Sequence, residues 1–229
     1  MAAAKKRSRK ELLKEPDVVL TWSARLLAVV TAHRNAIVCG VIVLMAAAAL
    51  VSGYRYYVHR QEAQAGVLIG EALAKYERLR SGEPPETAVK AVADDFQRII
   101  ASYGNRFNGD TARLFYANLL YEAGDFSQAA DLYRALQPQF SEFPLIRFQV
   151  LQSLGYALVA LRDDAGAARA FEAALAAADP RLADNVLYAL GTLYDRMGET
   201  EKSTAAFNRI VSDHPDSAYV ALVKERLSF

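Results

Sequence analysis

Three histidines, a lone cysteine and two pairs of adjacent aspartates are the side chains here with the clearest capacity for chemistry. His33, His59 and His214 could each act as a general base, Cys39 as a nucleophile, and Asp94-Asp95 or Asp163-Asp164 as an acid and base pair. Catalysis requires such groups to converge on one reacting atom. The histidines are scattered along the chain, and no Cys/His metal spacing, glycine-rich phosphate loop or nucleophile elbow accompanies them. Paired carboxylates of this kind occur routinely on solvated helix faces and in turns. The sequence reads as that of a protein that is not an enzyme and holds no cofactor and no metal.

The most distinctive element near these residues is an apolar run. Residues 35–54 contain no charge, and 20 residues of helix reach about 30 Å, the thickness of a bilayer's hydrocarbon core. Arg34 and Arg55 bracket the run, and Tyr54, Tyr56 and Tyr57 stand where interfacial aromatics belong. This is the pattern of a single transmembrane helix. A soluble core helix and a cleavable secretory signal fit less well, the latter because 34 residues precede the run. Cys39 lies inside it, as an apolar filler or a site of lipid modification, so the rest of the chain has neither disulfide nor thiol chemistry.

Charge sets the orientation. Ahead of Asn35 eight Lys and Arg face three acids, whereas the remainder carries 19 basic and 23 acidic residues. The positive-inside rule keeps segment 1–34 in the cytoplasm and sends residues 55–229 across the membrane, although Arg55 and Arg60 lie on the far side. The mildly acidic exported part gives no reason to expect nucleic acid as a partner. Within the tail, Val18, Val19, Trp22, Leu26, Val29 and Val30 recur at helical spacing after Pro16. They predict an amphipathic helix that either lies in the headgroup layer or continues into the span.

Downstream, an aromatic residue followed by aliphatics three or four places on returns four times, at Phe96, Tyr133, Phe171 and Phe207, with steps of 37, 38 and 36 residues. A period of this length belongs to stacked helical hairpins, none of which buries its apolar face alone. The expected fold class is therefore all-α: one N-terminal transmembrane helix followed by an α-solenoid of helical hairpins. Helices are predicted at 61–80, 86–103, 110–123, 126–137, 144–161, 165–178, 181–197 and 199–213, with a capping helix at 217–227. Asp110 is the expected N-cap of the third of these. Gly82 to Pro85, Gly104-Asn105 and Gly124-Asp125 mark the turns. Gly66 and Gly70 have the spacing of a helix-dimer motif, and their expected role is close packing of helix 61–80.

These residues carry a resemblance to tetratricopeptide-repeat proteins. Ala117, Gly155 and Gly191 match that family's small residue on the first helix of each repeat, Leu120, Leu158 and Tyr194 its large residue three positions on, and Gly124-Asp125 and Gly198-Glu199 its inter-helix turn. Ala129, Ala167 and Ser203 match the small position on the second helix, Tyr133, Phe171 and Phe207 its aromatic, and Pro180 and Pro215 its terminal proline. Clear repeats cover about 110–215, after a degenerate one marked by Phe96 and Ile99. The chain departs from the pattern where Arg113, Leu151 and Leu187 replace the signature Trp and where Arg162 replaces the turn glycine. A basic tail, one signal anchor and about four exported repeats also resemble the plan of the YfgM-like ancillary subunits of the SecYEG translocon. Segments similar to Lys10 to Asp17 and Thr21 to Arg25 occur in that group.

The resemblance implies a binding surface. In the family, first-helix side chains two, five, nine and twelve places into each repeat line a concave face. Here they are Thr111, Leu114, Asn118 and Tyr121; Gln149, Gln152, Tyr156 and Val159; and Asn185, Tyr188, Thr192 and Asp195. Tyrosines and amides give contact area with adaptable hydrogen bonding, suited to peptide ligands, unless the tyrosines pack inward as core. Leu114 and Gln152 stand where a cationic clamp for a C-terminal carboxylate would need Lys or Arg. The implied function is a membrane-anchored adaptor in the inner membrane with a periplasmic domain, contacting translocon subunits, periplasmic chaperones or exported polypeptides. The alternative is a scaffold for a cell-division or outer-membrane assembly complex. Nothing in the sequence sets the oligomeric state.

Overall fold

The computed structural model of the chain describes residues 18–104, 106–177 and 182–227. The basic tail 1–17, Asn105, Pro180 and the expected helix start at Arg181 lie outside the described residues. Among those described there are ten α-helices and no strand. The chain divides into two units, Met1–His59 and Arg60–Phe229.

The first unit contains α1, Val18–Ala32, and the beginning of α2, Arg34–Arg80. Only His33 separates them, and helical hydrogen bonds run through it, from His33 N to Val29 O at 3.0 Å and from Ile37 N to His33 O at 2.9 Å. Of the two arrangements the sequence allowed for this segment, the helix leads directly into the apolar run. Every side chain from Ala24 to Tyr57 is exposed, as is Trp22. An apolar helix with no face covered has no core of its own. The helix expected to start at 61 is instead the uninterrupted continuation of α2.

The second unit opens with the last turns of α2 and continues through α3, Pro85–Tyr103; α4, Phe107–Glu122; α5, Phe126–Leu136; α6, Pro144–Ala160; α7, Asp164–Ala177; α8, Asp184–Arg196; α9, Thr200–Asp213; and α10, Val220–Leu227. Pro85 and Pro144 occupy first-turn positions, where a missing N–H leaves no bond unmade. Helices α4 to α9 pack as three hairpins. One core extends from Ile69 through Phe96, Tyr133, Leu151 and Phe171 to Tyr194. A second joins Ala183, Leu187, Phe207, Ile210 and Val223. The missing signature Trp is replaced by apolar volume at Leu151 and Leu187, both buried, and by an ion pair in the first hairpin, Arg113 Nη1 to Asp110 Oδ1 at 2.6 Å.

Each hairpin is held by the same two devices. The first is a small residue against an aromatic: a Cβ on Gly155 would lie 2.4 Å from Phe171 Cε1, and one on Gly191 would lie 2.5 Å from Phe207 Cε1. The second is a helix stop with a left-handed residue and paired hydrogen bonds to the preceding turn. Gly124 N and Asp125 N donate to Tyr121 O and Leu120 O, Arg162 N and Asp163 N to Val159 O and Leu158 O, and Gly198 N and Glu199 N to Asp195 O and Tyr194 O. The φ angles at Gly124, Arg162 and Gly198 are 82°, 63° and 76°. Arg162 thus adopts the glycine conformation without being glycine.

Two expectations are corrected. Asp110 does not cap α4. The helix starts at Phe107, after an extended Arg106, because Glu62 of α2 reaches across and accepts from Asn108 N at 2.9 Å, satisfying an end N–H that a local cap would otherwise serve. Asp110 is left buried in the first turn beside Arg113, and burial holds its carboxyl above the usual range despite that partner. Gly66 and Gly70 do not mediate close packing either. Both are exposed, Gly70 has no atom within 4 Å of a built Cβ, and α2 packs through Ala65, Ile69, Ala72 and Tyr76.

Candidate functional site

The reactive groups go to structural duties. Asp95 accepts from Lys75 Nζ at 2.8 Å and pairs with Arg98; the Lys75 bond is the largest influence holding its carboxyl below the usual range. Asp163 Oδ1 accepts from Gly166 N at 2.9 Å, capping α7, while Asp164 Oδ2 accepts from Arg196 Nε of α8 at 3.0 Å. Among the described residues no three of His, Cys, Asp and Glu are grouped to hold a metal.

The residues expected on a binding face occupy α4, α6 and α8, the first helix of each hairpin. Thr111, Leu114, Asn118, Tyr121, Gln152, Tyr156, Val159, Asn185, Tyr188 and Thr192 are all half-buried, while Gln149 and Asp195 are exposed. The tyrosines set one ring edge on the interior and leave the rest accessible. Tyr121 meets Phe126 edge-on at 5.2 Å between centroids, and Tyr156 meets Phe171 edge-on at 5.1 Å. Neither simple burial nor free exposure describes them.

Several of these side chains act on one another, which brings them onto one surface. The Tyr156 hydroxyl is pushed above its ordinary value first by burial, then by the nearby Tyr219, with Tyr121 adding to it, while a hydrogen bond with Gln152 opposes the shift. Tyr133, on α5 behind this face, donates from its hydroxyl to Asn118 Oδ1 at 2.7 Å. Its burial pushes the hydroxyl up to about 12 against the opposing Ser153. Asn118 is therefore anchored from below, with its amide nitrogen left for a ligand. On α8 the side chains Asn185 Oδ1 and Thr192 Oγ1 are buried with no hydrogen-bond partner.

Residues outside the expected set complete this surface. Tyr219 stacks on Tyr188 at 4.5 Å and 14°, and Arg226 Nη1 of α10 lies 3.8 Å from Asp195 Oδ2. Both belong to the closing segment, beyond the last full repeat. A signal for them existed: Tyr219 and Arg226 stand 34 residues after Asn185 and Thr192, two of the expected face positions. Extending the period one step would have found them. The surface as a whole is an uncharged band of tyrosines, amides and aliphatics, with Asp195 and Arg226 paired at one end. It contains no acid, base or nucleophile placed to react, and its donors, acceptors and ring faces suit recognition of another chain.

The chain matches the Tetratricopeptide repeat-like domain over residues 31–228, a stretch that includes the apolar run as well as all the hairpins. No curated protein matches it in sequence. Among solved structures, pilF of Pseudomonas aeruginosa superposes with a TM-score of 0.51 at 16% identity, over 73% of this chain and 84% of that one. MamA protein gives a TM-score of 0.50 at 16% identity, over 66% and 75%. At such identity these likenesses establish a shared fold and nothing about ligands.

Proposed function

Because the chain belongs to the tetratricopeptide repeat-like family, whose repeats are protein–protein interaction modules, we propose that it is a membrane-anchored adaptor that captures polypeptide segments on the shared face of α4, α6 and α8. The observation that carries this reading is the half-buried, uncharged band from Tyr121 through Gln152 and Tyr156 to Tyr188. A soluble chain has no reason to leave tyrosine rings and amide groups side by side at a surface, whereas a peptide groove requires them. Residues 35–54 supply the anchor, since this part of α2 is long and apolar enough to cross a bilayer and has no face covered. The basic tail stays in the cytoplasm and the repeats stand in the periplasm. The resemblance to YfgM-like subunits favours partners at the Sec translocon: channel subunits, periplasmic chaperones or newly exported chains.

A photoreactive residue at Gln152, crosslinked in cells and followed by mass spectrometry, tests the partner. Translocon subunits, chaperones or exported chains among the adducts support the reading; division or outer-membrane assembly proteins in their place replace it with the scaffold alternative. A reporter active only outside the cytoplasm, fused after Phe229, tests the topology. It should be active, and an inactive fusion would reverse the assigned orientation.

A further inference from the structure

The closing segment lies on α8, residue upon residue. Ser217 Oγ donates to Asp184 Oδ2 at 2.7 Å, Tyr219 stacks on Tyr188, and Arg226 sits 3.8 Å from Asp195 with its guanidinium 5.9 Å from the ring centroids of both Tyr188 and Phe207. Tyr188 and Asp195 belong to the candidate face. On α4 and α6, by contrast, the tyrosines of that face make their ring contacts within their own hairpins, to Phe126 and Phe171. One part of the face is open and the other is occupied by the chain itself.

The occupant is lightly held and fits imperfectly. Helix α10 has eight residues, too few to be stable alone, and Val223 is its one buried side chain. Beneath it, on the same stretch of α8, Asn185 Oδ1 and Thr192 Oγ1 remain buried and unpaired. A buried polar atom without a partner is unfavourable, so a better-matched occupant that bonds both would be preferred.

We propose that α10 is an internal ligand of the α8 face, displaced when a protein partner presents a helical segment with an aromatic residue and, seven residues on, an arginine on the same side. This rests on the reading of that face as a polypeptide-binding surface and names the partner's chemistry. Tyr219 and Arg226 have this spacing, which places them two turns apart on one helix face. A tethered ligand competes at a high effective concentration, so a free segment of equal intrinsic affinity binds weakly until the tether is loosened. The resting chain is thereby kept from capturing poor matches.

The test titrates a fluorescein-labelled peptide of residues 217–227 into the full-length chain in detergent micelles, read by anisotropy. In the chain, Tyr219→Ala with Arg226→Ala weakens the internal helix while leaving α8 intact. This double variant should bind the peptide at least tenfold more tightly than the wild type, and adding Tyr188→Ala should abolish the gain. A double variant that melts like the wild type yet binds no more tightly makes α10 a structural cap and overturns the proposal. Should the double variant unfold, hydrogen exchange on the wild-type chain decides: excess peptide must accelerate exchange of the α10 amides, and unchanged exchange overturns the proposal equally. The peptide reads the α8 seat alone, so its failure is distinct from a failure of the face at Tyr121 and Tyr156.

Discussion

The α6–α7 and α8–α9 hairpins solve one packing problem with different residues at the turn. In both, a glycine on the first helix lies against a phenylalanine on the second, Gly155 on Phe171 and Gly191 on Phe207, and the helix stop uses the same pair of hydrogen bonds. At the left-handed position, however, one has Arg162 and the other Gly198. The difference teaches that the hairpin is specified by its interior contact and its backbone bonds, with the turn residue adjusting stability at the margin. The α4–α5 hairpin extends the comparison, with Ala117 in the small position and Tyr133, an aromatic bearing a hydroxyl, in place of the phenylalanine.

The strongest way to break this account is to fill the interior contact. Leucine at Gly155 or Gly191 has no room even for its Cβ, and overpacking on this scale should cost about 3 kcal/mol. Thermal unfolding followed by circular dichroism should show a clear fall for both variants. If either melts like the wild type, the assigned repeat phase is wrong for that hairpin.

A smaller effect separates the α4–α5 hairpin from the other two. The Tyr133 hydroxyl is raised from 10.0 to about 12 in the folded chain, so between those values the unfolded chain loses this proton while the folded chain keeps it. The stabilisation is fully present below pH 10 and is lost as pH rises through about 12, by an amount on the order of 2 kcal/mol. Denaturant titrations at pH 9 and pH 11.5 should show Tyr133→Phe losing less stability than the wild type over this interval. Equal losses would mean that the hydroxyl is as free in the fold as in the unfolded chain.

The smallest effect sharpens the comparison at its point of difference. Arg162→Gly relieves a left-handed conformation that a side chain tolerates poorly and should stabilise the chain by about 1 kcal/mol, while Gly198→Arg should destabilise it by a similar amount. Paired melting temperatures check both signs.

Much of this was legible in the sequence because the repeats are locally encoded. Gly124-Asp125, Pro85 and Pro144 announce helix ends through backbone chemistry that acts within a few residues, and the recurring aromatics announce the interior. Arg162 could be recognised as a departure because its neighbours kept the pattern. What escaped depends on segments distant in sequence. Asp110 looked like a cap because nothing near it reveals that Glu62, 46 residues earlier, serves the end of α4. Gly66 and Gly70 looked like packing residues because their spacing does not say which side of α2 meets a neighbour, and Ala65, Ile69 and Ala72 took that side. The cover that Tyr219 and Arg226 place on α8 was missed because the closing helix was treated as a cap rather than as one more step of the same period.

The central claim is that the open part of the candidate face binds polypeptides without being needed for the fold. Its most direct test is the in-cell crosslinking yield from a photoreactive residue at Gln152, measured with and without Tyr121→Ala and Tyr156→Ala, alongside the melting temperature of each purified chain. Aromatic anchors at interfaces contribute about 2 kcal/mol or more, or around thirtyfold in affinity. The account predicts adducts to specific partners in the wild-type background, a large loss of them in the double variant, and a melting temperature nearly unchanged. Undiminished adducts, or a double variant that unfolds while its folded fraction still captures partners normally, would contradict it and make these tyrosines part of the core.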